Sequence, residues 1–297
     1  LISRSSYTGT KYLGAENFML SEGSSNNDSN TKNNNKLLYS GYTSPSVNNI
    51  VLNHNLESST SWYHSSSVGS ATYTFSNTNE ESLFGQKSFK LNVTNVGNAG
   101  RARFYQDLST AYVKPNTTYT ASAYIKTNNI VVSPGKYGGA VLLVYLNAPS
   151  MPITQDPAAA DYISEYITGT TDEEINNGWR RVSVTFTTPS DLKSMRINGA
   201  VKDATGIAYF DGIQLEEGTV SNPYNMVLNS SFEIDASNWT GSQLVSTDVS
   251  SSTVKKIGSK SFKMTAGTTR QKSLYQTISV NGFEKDSYVF RNITTRL

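Results

Sequence analysis

Few residues in this sequence are equipped for catalysis. His54 and His64 are its two histidines, and no nucleophile turn is marked that either could serve as the base of a Ser-His-Asp arrangement. Acids cluster at Asp172, Glu173 and Glu174 and again at Glu216 and Glu217. Paired acids are what glycoside cleavage needs, but both clusters lie beside turn residues and read as solvated surface charge. Gly138–Gly139 and the glycines at 97 and 100 lack the strand–glycine–helix context of a phosphate cradle. The chain has no cysteine, which excludes disulfides, zinc thiolates and thiol nucleophiles. The protein is therefore not expected to be an enzyme, and what remains is binding chemistry, which depends on the elements that place the side chains.

Those elements are organised by a repeat. Asn225–Glu233, NMVLNSSFE, nearly restates Asn49–Glu57, NIVLNHNLE, about 176 residues earlier, and each is followed by a tryptophan, Trp62 and Trp239. Further landmarks keep the same order. Phe84–Val93 (FGQKSFKLNV) matches Ile257–Ala266 (IGSKSFKMTA), Phe104–Ser109 (FYQDLS) matches Leu274–Ser279 (LYQTIS), and Asn116–Lys126 matches Lys285–Phe290. The sequence then ends, with no second counterpart of Trp179 or Asp211. The expected domains are an N-terminal segment with an Asn-rich linker (1–47), one complete module (48–220) and a truncated second copy (221–297). The truncated copy is expected to be partly disordered, to pair with another chain or to expose a sheet edge.

Between 48 and 220 lies a series of strand-like runs separated by turn signals, several of which alternate apolar and polar residues. The runs are Ser70–Phe75, Ser88–Val93, Ala102–Leu108, Thr118–Lys126, Ala140–Leu146, Arg181–Thr187, Met195–Val201 and Ile207–Leu215. In Arg181–Thr187, Val182, Val184 and Phe186 oppose Ser183, Thr185 and Thr187. In Tyr119–Lys126, Ala121, Ala123 and Ile125 oppose Thr120, Ser122, Tyr124 and Lys126. A period of two predicts strands with one buried and one wet face, and many such strands predict an all-β antiparallel sandwich. Ala140–Leu146, apolar on both faces, predicts a strand buried on both sides. Asp156–Tyr166 and Thr171–Asn176 are the two helical candidates. Residues 1–20 supply one or two short strands, and Ser21–Lys36 reads as a linker or exposed loop.

Composition bounds the partners. Of 297 residues, 36% are hydrophobic and 16% charged, with a net charge of +2 and no long basic run. Nucleic acid and anionic membrane therefore have no electrostatic footprint, and no apolar run reaches the ~18 residues of a membrane span. Absent cysteine and abundant Asn, Ser, Thr and Tyr fit a secreted or cell-surface bacterial protein. With Leu1 first, the expected context is a longer exported chain carrying other domains.

The landmarks taken together, N-x-x-[F/L]-E, G-x-x-S-F-K, Y-Q, G-W-x-R-V-x-V-T-F-T and A-Y-F-D-G-I-Q-L-E, resemble the jelly-roll carbohydrate-binding modules of families four, nine and twenty-two. The link Tyr209–Asn225 is similar to tandem modules of large clostridial-type surface proteins, some of which carry RHS repeats. The resemblance implies a jelly-roll sandwich with a structural calcium held by Glu57 and Asp211, with backbone carbonyls near Gly85–Ser88 as further ligands. Hard oxygen donors suit that cation. Glu233 matches Glu57 but lacks an Asp partner.

It also implies a sugar site on the concave face or its edge loops, where aromatic rings stack on sugars and polar groups bind hydroxyls. The residues of this sequence that would serve are Trp62, Tyr63, Arg103, Tyr105, Tyr124, Arg196 and Asn198. Trp62, recurring as Trp239, reads equally as core, and Tyr105, recurring as Tyr275, reads equally as a fold residue. The expected function is a non-catalytic module that tethers an exported protein to a polysaccharide or other glycan. The alternative is a spacer in an adhesin, toxin-delivery stalk or fibre, with no sugar site.

Overall fold

The computed structural model describes residues 10–13, 18–22, 49–66, 71–97, 100–150, 162–222, 224–230, 232, 235–251, 253–254, 260–265, 272–277 and 288–292; the first two and the last of these are described as backbone only. In chain order the strands are β1 (Thr10–Leu13), β2 (Phe18–Glu22), β3 (Tyr63–Ser66), β4 (Thr72–Thr78), β5 (Ser88–Asn95), β6 (Arg101–Ser109), β7 (Thr118–Val132), β8 (Gly139–Asn147), β9 (Tyr162–Ile163), β10 (Arg180–Thr187), β11 (Ser194–Lys202), β12 (Ala204–Glu217), β13 (Thr240–Ser242), β14 (Val249–Ser251), β15 (Ser261–Thr265), β16 (Ser273–Tyr275) and β17 (Tyr288–Asn292). They fall into two units, residues 50–221 and a second unit that joins residues 1–49 to 222–297.

Residues 50–221 form a β-sandwich of two five-stranded antiparallel sheets, consistent with a jelly roll. Their strand orders are β10-β7-β12-β5-β4 and β3-β6-β11-β8-β9. All eight sequence-predicted runs are strands, and β3 and β9, the two short edges of the second sheet, are additional. The core lies where the alternating apolar positions of the sheets meet. Ala121, Ala123 and Ile125 of β7, Val182 and Phe186 of β10, and Leu142, Val144 and Leu146 of β8 all enter it. Phe89, Phe104 and Phe210 pack edge to face with centroids 5.0 and 5.1 Å apart, a geometry worth roughly 0.5–1.5 kcal/mol per pair beyond area burial. Gly199 on β11 makes room for this stack, since a Cβ there would lie 2.3 Å from Phe104 Cζ.

Two expectations are corrected. The polar side of β7 is not wet: Ser122 and Thr120 are buried, with Ser122 accepting from Arg181 Nη2 at 3.2 Å and Thr120 Oγ1 donating to Gly218 O at 2.9 Å. Helix Asp156–Tyr166 does not extend over its last residues, because Tyr162–Ile163 pair with β8; the rest of that candidate lies outside the described residues. The turn expected within Thr171–Asn176 forms, Ile175 N donating to Asp172 O at 3.1 Å, and runs on into a 3₁₀ turn at Asn176–Gly178, where Asn177 at φ 50° is incompatible with an α-helix. Ala140–Leu146 is buried on both faces as expected. Val141, Leu143 and Tyr145 form a second cluster with Ala200, against which Ile163 and Tyr166 pack.

The second unit repeats the first one's opening turn. Asn53 and Asn229 (φ 48° and 46°) and Leu56 and Phe232 (φ 53° and 60°) adopt the same left-handed conformations. Leu52 N donates to Gln106 Oε1 and Leu228 N to Gln276 Oε1, both at 2.8 Å. Trp62 Nε1 donates to Asn53 O at 3.3 Å and Trp239 Nε1 to Asn229 O at 3.0 Å. The shared Asn, Trp and Gln thus serve the turn.

The sheet edge expected to stay open is paired within the chain. β15, the counterpart of β5, lies between β14 and β1, so Thr10–Leu13 stand where β12 stands in the first unit. β2 pairs with β17 in the same manner. Ser21 and Glu22 of the linker candidate are strand; residues 23–36 lie outside the described residues.

Candidate ligand-binding face and carboxylate pair

Alternation along β6 and β11 sends Phe104, Leu108, Met195 and Ile197 into the core and the intervening residues to the sheet's other face. The strand registers fix that face as a grid. One row runs Tyr63, Tyr105, Asn198, Leu143, Ile163 across β3, β6, β11, β8 and β9. On one side of it lies the row Asp107, Arg196, Tyr145; on the other lie Ser65, Arg103, Ala200, Val141 and then Arg101, Lys202, Gly139. Five of the seven sequence-predicted sugar-site residues therefore share one face.

The face is built around Tyr105. Tyr63 tilts beside it at 31°, with centroids 5.8 Å apart. The Arg196 guanidinium lies 4.0 Å over the Tyr105 ring and that of Arg103 5.2 Å from it. Asp107 holds Arg196 through two hydrogen bonds, of 2.7 Å from Nε and 2.8 Å from Nη2, and that contact raises the Arg196 pKa. Arg103 is held differently. Its Nε donates to Ser65 Oγ at 3.1 Å, and burial, then the charges of Arg101 and Arg196, push its pKa below the usual arginine value. An open groove of about 440 Å³ is lined by Leu52, Ser61, Tyr63, Tyr105, Gln106 and Asp107.

Two predicted residues sit elsewhere. Trp62 is turned inward, with its ring 5.8 Å from Phe89 and 5.4 Å from Phe104. One position before Tyr63 on an alternating strand, it must face the core, so it is removed from the sugar set. Tyr124 is on β7 of the other sheet, packed on Phe84 at 5.2 Å with Arg181 5.4 Å from its ring, so it does not join the Tyr105 face. Asn198 is on the face but buried; its Nδ2 donates to Leu143 O at 3.2 Å and its Oδ1 has no partner. Sequence reasoning passed over Arg101, Asp107 and Tyr145, although period two from Arg103 and Tyr105 leads to the first two.

The carboxylate pair forms at one turn. Leu83 and Phe84 donate their amides to Asp211 Oδ2 at 2.8 and 2.9 Å, and Gly212 N donates to Oδ1 at 2.7 Å. Gln86 and Lys87 donate to Glu57 Oε1 at 2.8 and 3.1 Å. Gly85 (φ +78°) permits this approach, because a Cβ there would lie 2.2 Å from Glu57 Oε1. Asp211 is fully buried, and burial pushes its pKa up to about 8 despite the amides; the Glu57 charge adds to the rise. Neither carboxylate has an ion pair with Lys or Arg among the described residues. Oxygen donors with no cationic side chain beside them suit a hard divalent cation. The two carboxylates would supply part of its shell and backbone carbonyls or water the rest, since no group of three or more His, Asp or Glu side chains placed to hold a metal ion exists among the described residues. Glu233 lies outside the described residues.

The side chains weighed for catalysis are placed as follows. His54 is buried, and His64 Nδ1 meets the Tyr73 hydroxyl at 3.1 Å. Glu173 pairs with Lys126 at 2.9 Å and Glu217 with Lys114 at 2.9 Å. Glu216, expected to be solvated, is buried and accepts from Gln214 Nε2 at 3.2 Å.

The fold and the face define a β-sandwich module with two aromatic rings lining a groove on one sheet and arginines beside them. No protein-family model matches the chain. It is 32% identical over 162 residues to the tRNA nuclease WapA of Bacillus subtilis strain 168, a match covering 53% of this chain and 6% of that protein. It is 31% identical over 162 residues to the tRNA3(Ser)-specific nuclease WapA of Bacillus spizizenii, covering the same 53% and 6%. The chain thus spans a small part of the relatives it matches. Solved structures similar to it include the CBM22-1 xylan-binding domain of Paenibacillus barcinonensis Xyn10C (11% identity, TM-score 0.36, 59% of this chain and 97% of that one). A family 16 carbohydrate-binding module is similar at 24% identity and TM-score 0.37, over 56% and 99%. The enzymatically active domain of the bacteriophage CBA120 tailspike protein 4 is similar at 17% identity and TM-score 0.40, over 57% and 21%.

Proposed function

We propose that residues 50–221 are a non-catalytic carbohydrate-binding module of a longer exported protein, tethering it at the cell surface or outside the cell to a glycan. The observation that carries the reading is the Tyr63–Tyr105 pair at the groove, flanked by Arg103 and Arg196. Tilted rings offer apolar faces to a pyranose, and guanidinium donors at their edges suit its hydroxyls. The groove is open, so affinity is modest, and long polymers bind through several contacts. The nuclease activity in the names of the matched relatives belongs, on this reading, to parts outside the small share that this chain spans.

Calcium held by Glu57 and Asp211 is part of the same proposal. When bound it would supply positive charge that neutralises the pair and ties the opening turn to β12; it takes no part in sugar recognition. Equal melting temperatures in calcium and in chelator would remove the metal. A glycan array with Tyr63→Ala and Tyr105→Ala tests the sugar site: binding by the parent and its loss in both variants is expected, and an array with no bound glycan would refute it.

The spacer reading is favoured for the second copy alone. There Thr240 pairs with Tyr275 where Tyr63 pairs with Tyr105, and Ser273 stands where Arg103 does. That copy keeps the turn residues and lacks half of the aromatic pair and the cation.

A further inference from the structure

We propose that the glycan taken by the Tyr63–Tyr105 face is acidic, a polymer whose sugars carry carboxylate or phosphate, with Arg103 binding the anionic group. This rests on the carbohydrate reading and narrows it. Arg101, Arg103, Arg196 and Lys202 lie on one face, with Arg196 across the Tyr105–Asn198 row from the other three. Two of these charges are answered within the protein, Arg196 by Asp107 at 2.7 Å and Lys202 by Asp203 at 2.8 Å. Arg101 donates to the Tyr145 hydroxyl. Arg103 stands between Arg101 and Arg196, half-buried, and its contacts are the Ser65 hydroxyl and the Tyr105 ring, with no carboxylate among the described residues. Holding a guanidinium where two like charges and burial oppose it costs stability. An anion bound there would relieve that cost and gain a bidentate contact. The second copy supplies an internal comparison, because it replaces Arg103 by Ser273 and Tyr63 by Thr240, the cation and the stacking ring together.

The experiment is affinity electrophoresis and calorimetry of the full chain. The acidic probes are polygalacturonate and a phosphodiester-linked mannan, the neutral ones xylan and dextran, and polyglutamate and a single-stranded RNA serve as anions without a matching sugar polymer. Binding to one or both acidic glycans, at least tenfold tighter than to neutral ones and weakened by salt, is expected. Arg103→Gln should lose that tenfold with a melting temperature no lower than the parent's, and Arg103→Lys should recover part of it. The two acidic probes tell carboxylate from phosphate. Equal binding of neutral glycans, or indifference to Arg103→Gln, overturns the acidic assignment and leaves the carbohydrate reading intact. Binding to none of the four glycans overturns both, as does tighter binding to RNA or polyglutamate.

A second inference comes from strand register alone. We infer that residues 10–22 are a closing strand of the β12 type, held ready for a module's open edge. In the first unit Phe210, Tyr209, Ala208 and Ile207 pair with Phe89, Lys90, Leu91 and Asn92. In the second, Leu13, Tyr12, Lys11 and Thr10 pair with Phe262, Lys263, Met264 and Thr265, the repeat counterparts. The other ladder agrees: Leu215 and Glu217 face Ala121 and Tyr119, and Leu20 and Glu22 face Phe290 and Tyr288. The β2–β17 ladder thus aligns NFMLSEG (17–23) with GIQLEEG (212–218), sharing Leu, Glu and Gly, and the β1–β15 ladder aligns Thr10–Leu13 with Ile207–Phe210, so the segment between the two ladders is two residues longer than in β12. The strand's partner is the β15 edge of the second copy in the same chain.

Deleting residues 1–23 tests it by hydrogen exchange. Loss of protection at the Phe262 and Met264 amides, with β5 unaffected, is expected, and a peptide of residues 8–23 added in trans should restore it. Unchanged protection after deletion, or no rescue by the peptide, overturns the assignment.

Discussion

Asp211 should make the cation-free protein lose stability as pH rises, and Asp211→Asn should remove that loss. The carboxyl titrates near 8 in the folded protein, against 3.8 for an ordinary aspartate. A group whose folded pKa is raised stabilises the fold fully below its unfolded pKa, and that contribution is lost as pH climbs through the folded value. Between pH 3.8 and 7 the folded carboxyl stays protonated while the unfolded one ionises. At about 1.4 kcal/mol per pH unit, the loss by pH 7 is on the order of 4 kcal/mol. Asparagine carries no charge but sets an NH₂ against amide donors that now meet an oxygen, from Leu83 and Phe84 or from Gly212. That mismatch costs about 1–3 kcal/mol. In chelator at pH 7 the variant should therefore be more stable than the parent by roughly 1–3 kcal/mol, on the balance of these two terms. Its stability should be flat from pH 4 to 8. Calcium should stabilise the parent and leave the variant unmoved. Urea unfolding followed by tryptophan fluorescence across that pH range is the assay. A parent whose stability in chelator does not fall from pH 4 to 8, or a variant that falls as steeply, would refute the argument.

Other substitutions probe the same unit. Trp62→Ala should destabilise residues 50–221 by about 3–5 kcal/mol, as loss of a large core ring does, and leave any glycan selectivity unchanged when read at low temperature. Gly85→Ala should cost about 1–2 kcal/mol for its left-handed backbone alone, and should abolish the calcium response because the new methyl meets Glu57 Oε1; a retained response argues against Glu57 as a ligand. Gly199→Ala should cost about 1–3 kcal/mol through overpacking against Phe104, measured as a lower midpoint at unchanged slope in urea.

Much of the sandwich was legible because a strand with a buried face writes its period into the residues. Arg181–Thr187 and Met195–Val201 show it plainly. The short edges β3 and β9 were not, since four and two residues carry no period. Nor was the burial of Thr120 and Ser122, whose hydroxyls are satisfied by Gly218 O and Arg181 across the sheet; polarity predicts solvent only when no partner is waiting. The face around Tyr105 was partly legible: Arg103, Tyr105, Arg196 and Asn198 follow from alternation, while Trp62 and Tyr63 differ by one position and a strand separates them to opposite sides. The pairing of β1 with β15 was hidden because no local pattern announces a partner some 250 residues away.

That separation bears on the order of folding. The first unit lies wholly inside the chain interval between β1 and β15. Its own ends are drawn together, Ile50 N bonding Leu215 O at 3.0 Å. Once it has folded, the interval to be closed shrinks from about 250 residues to about 80, which lowers the entropic cost of pairing β1 with β15 by about 1 kcal/mol. The sandwich of residues 50–221 thus acts as a clasp that shortens the path for its neighbour. Long-range strand pairing is also the slow part of β-protein folding, so the second unit should acquire protection after the first and lose it earlier.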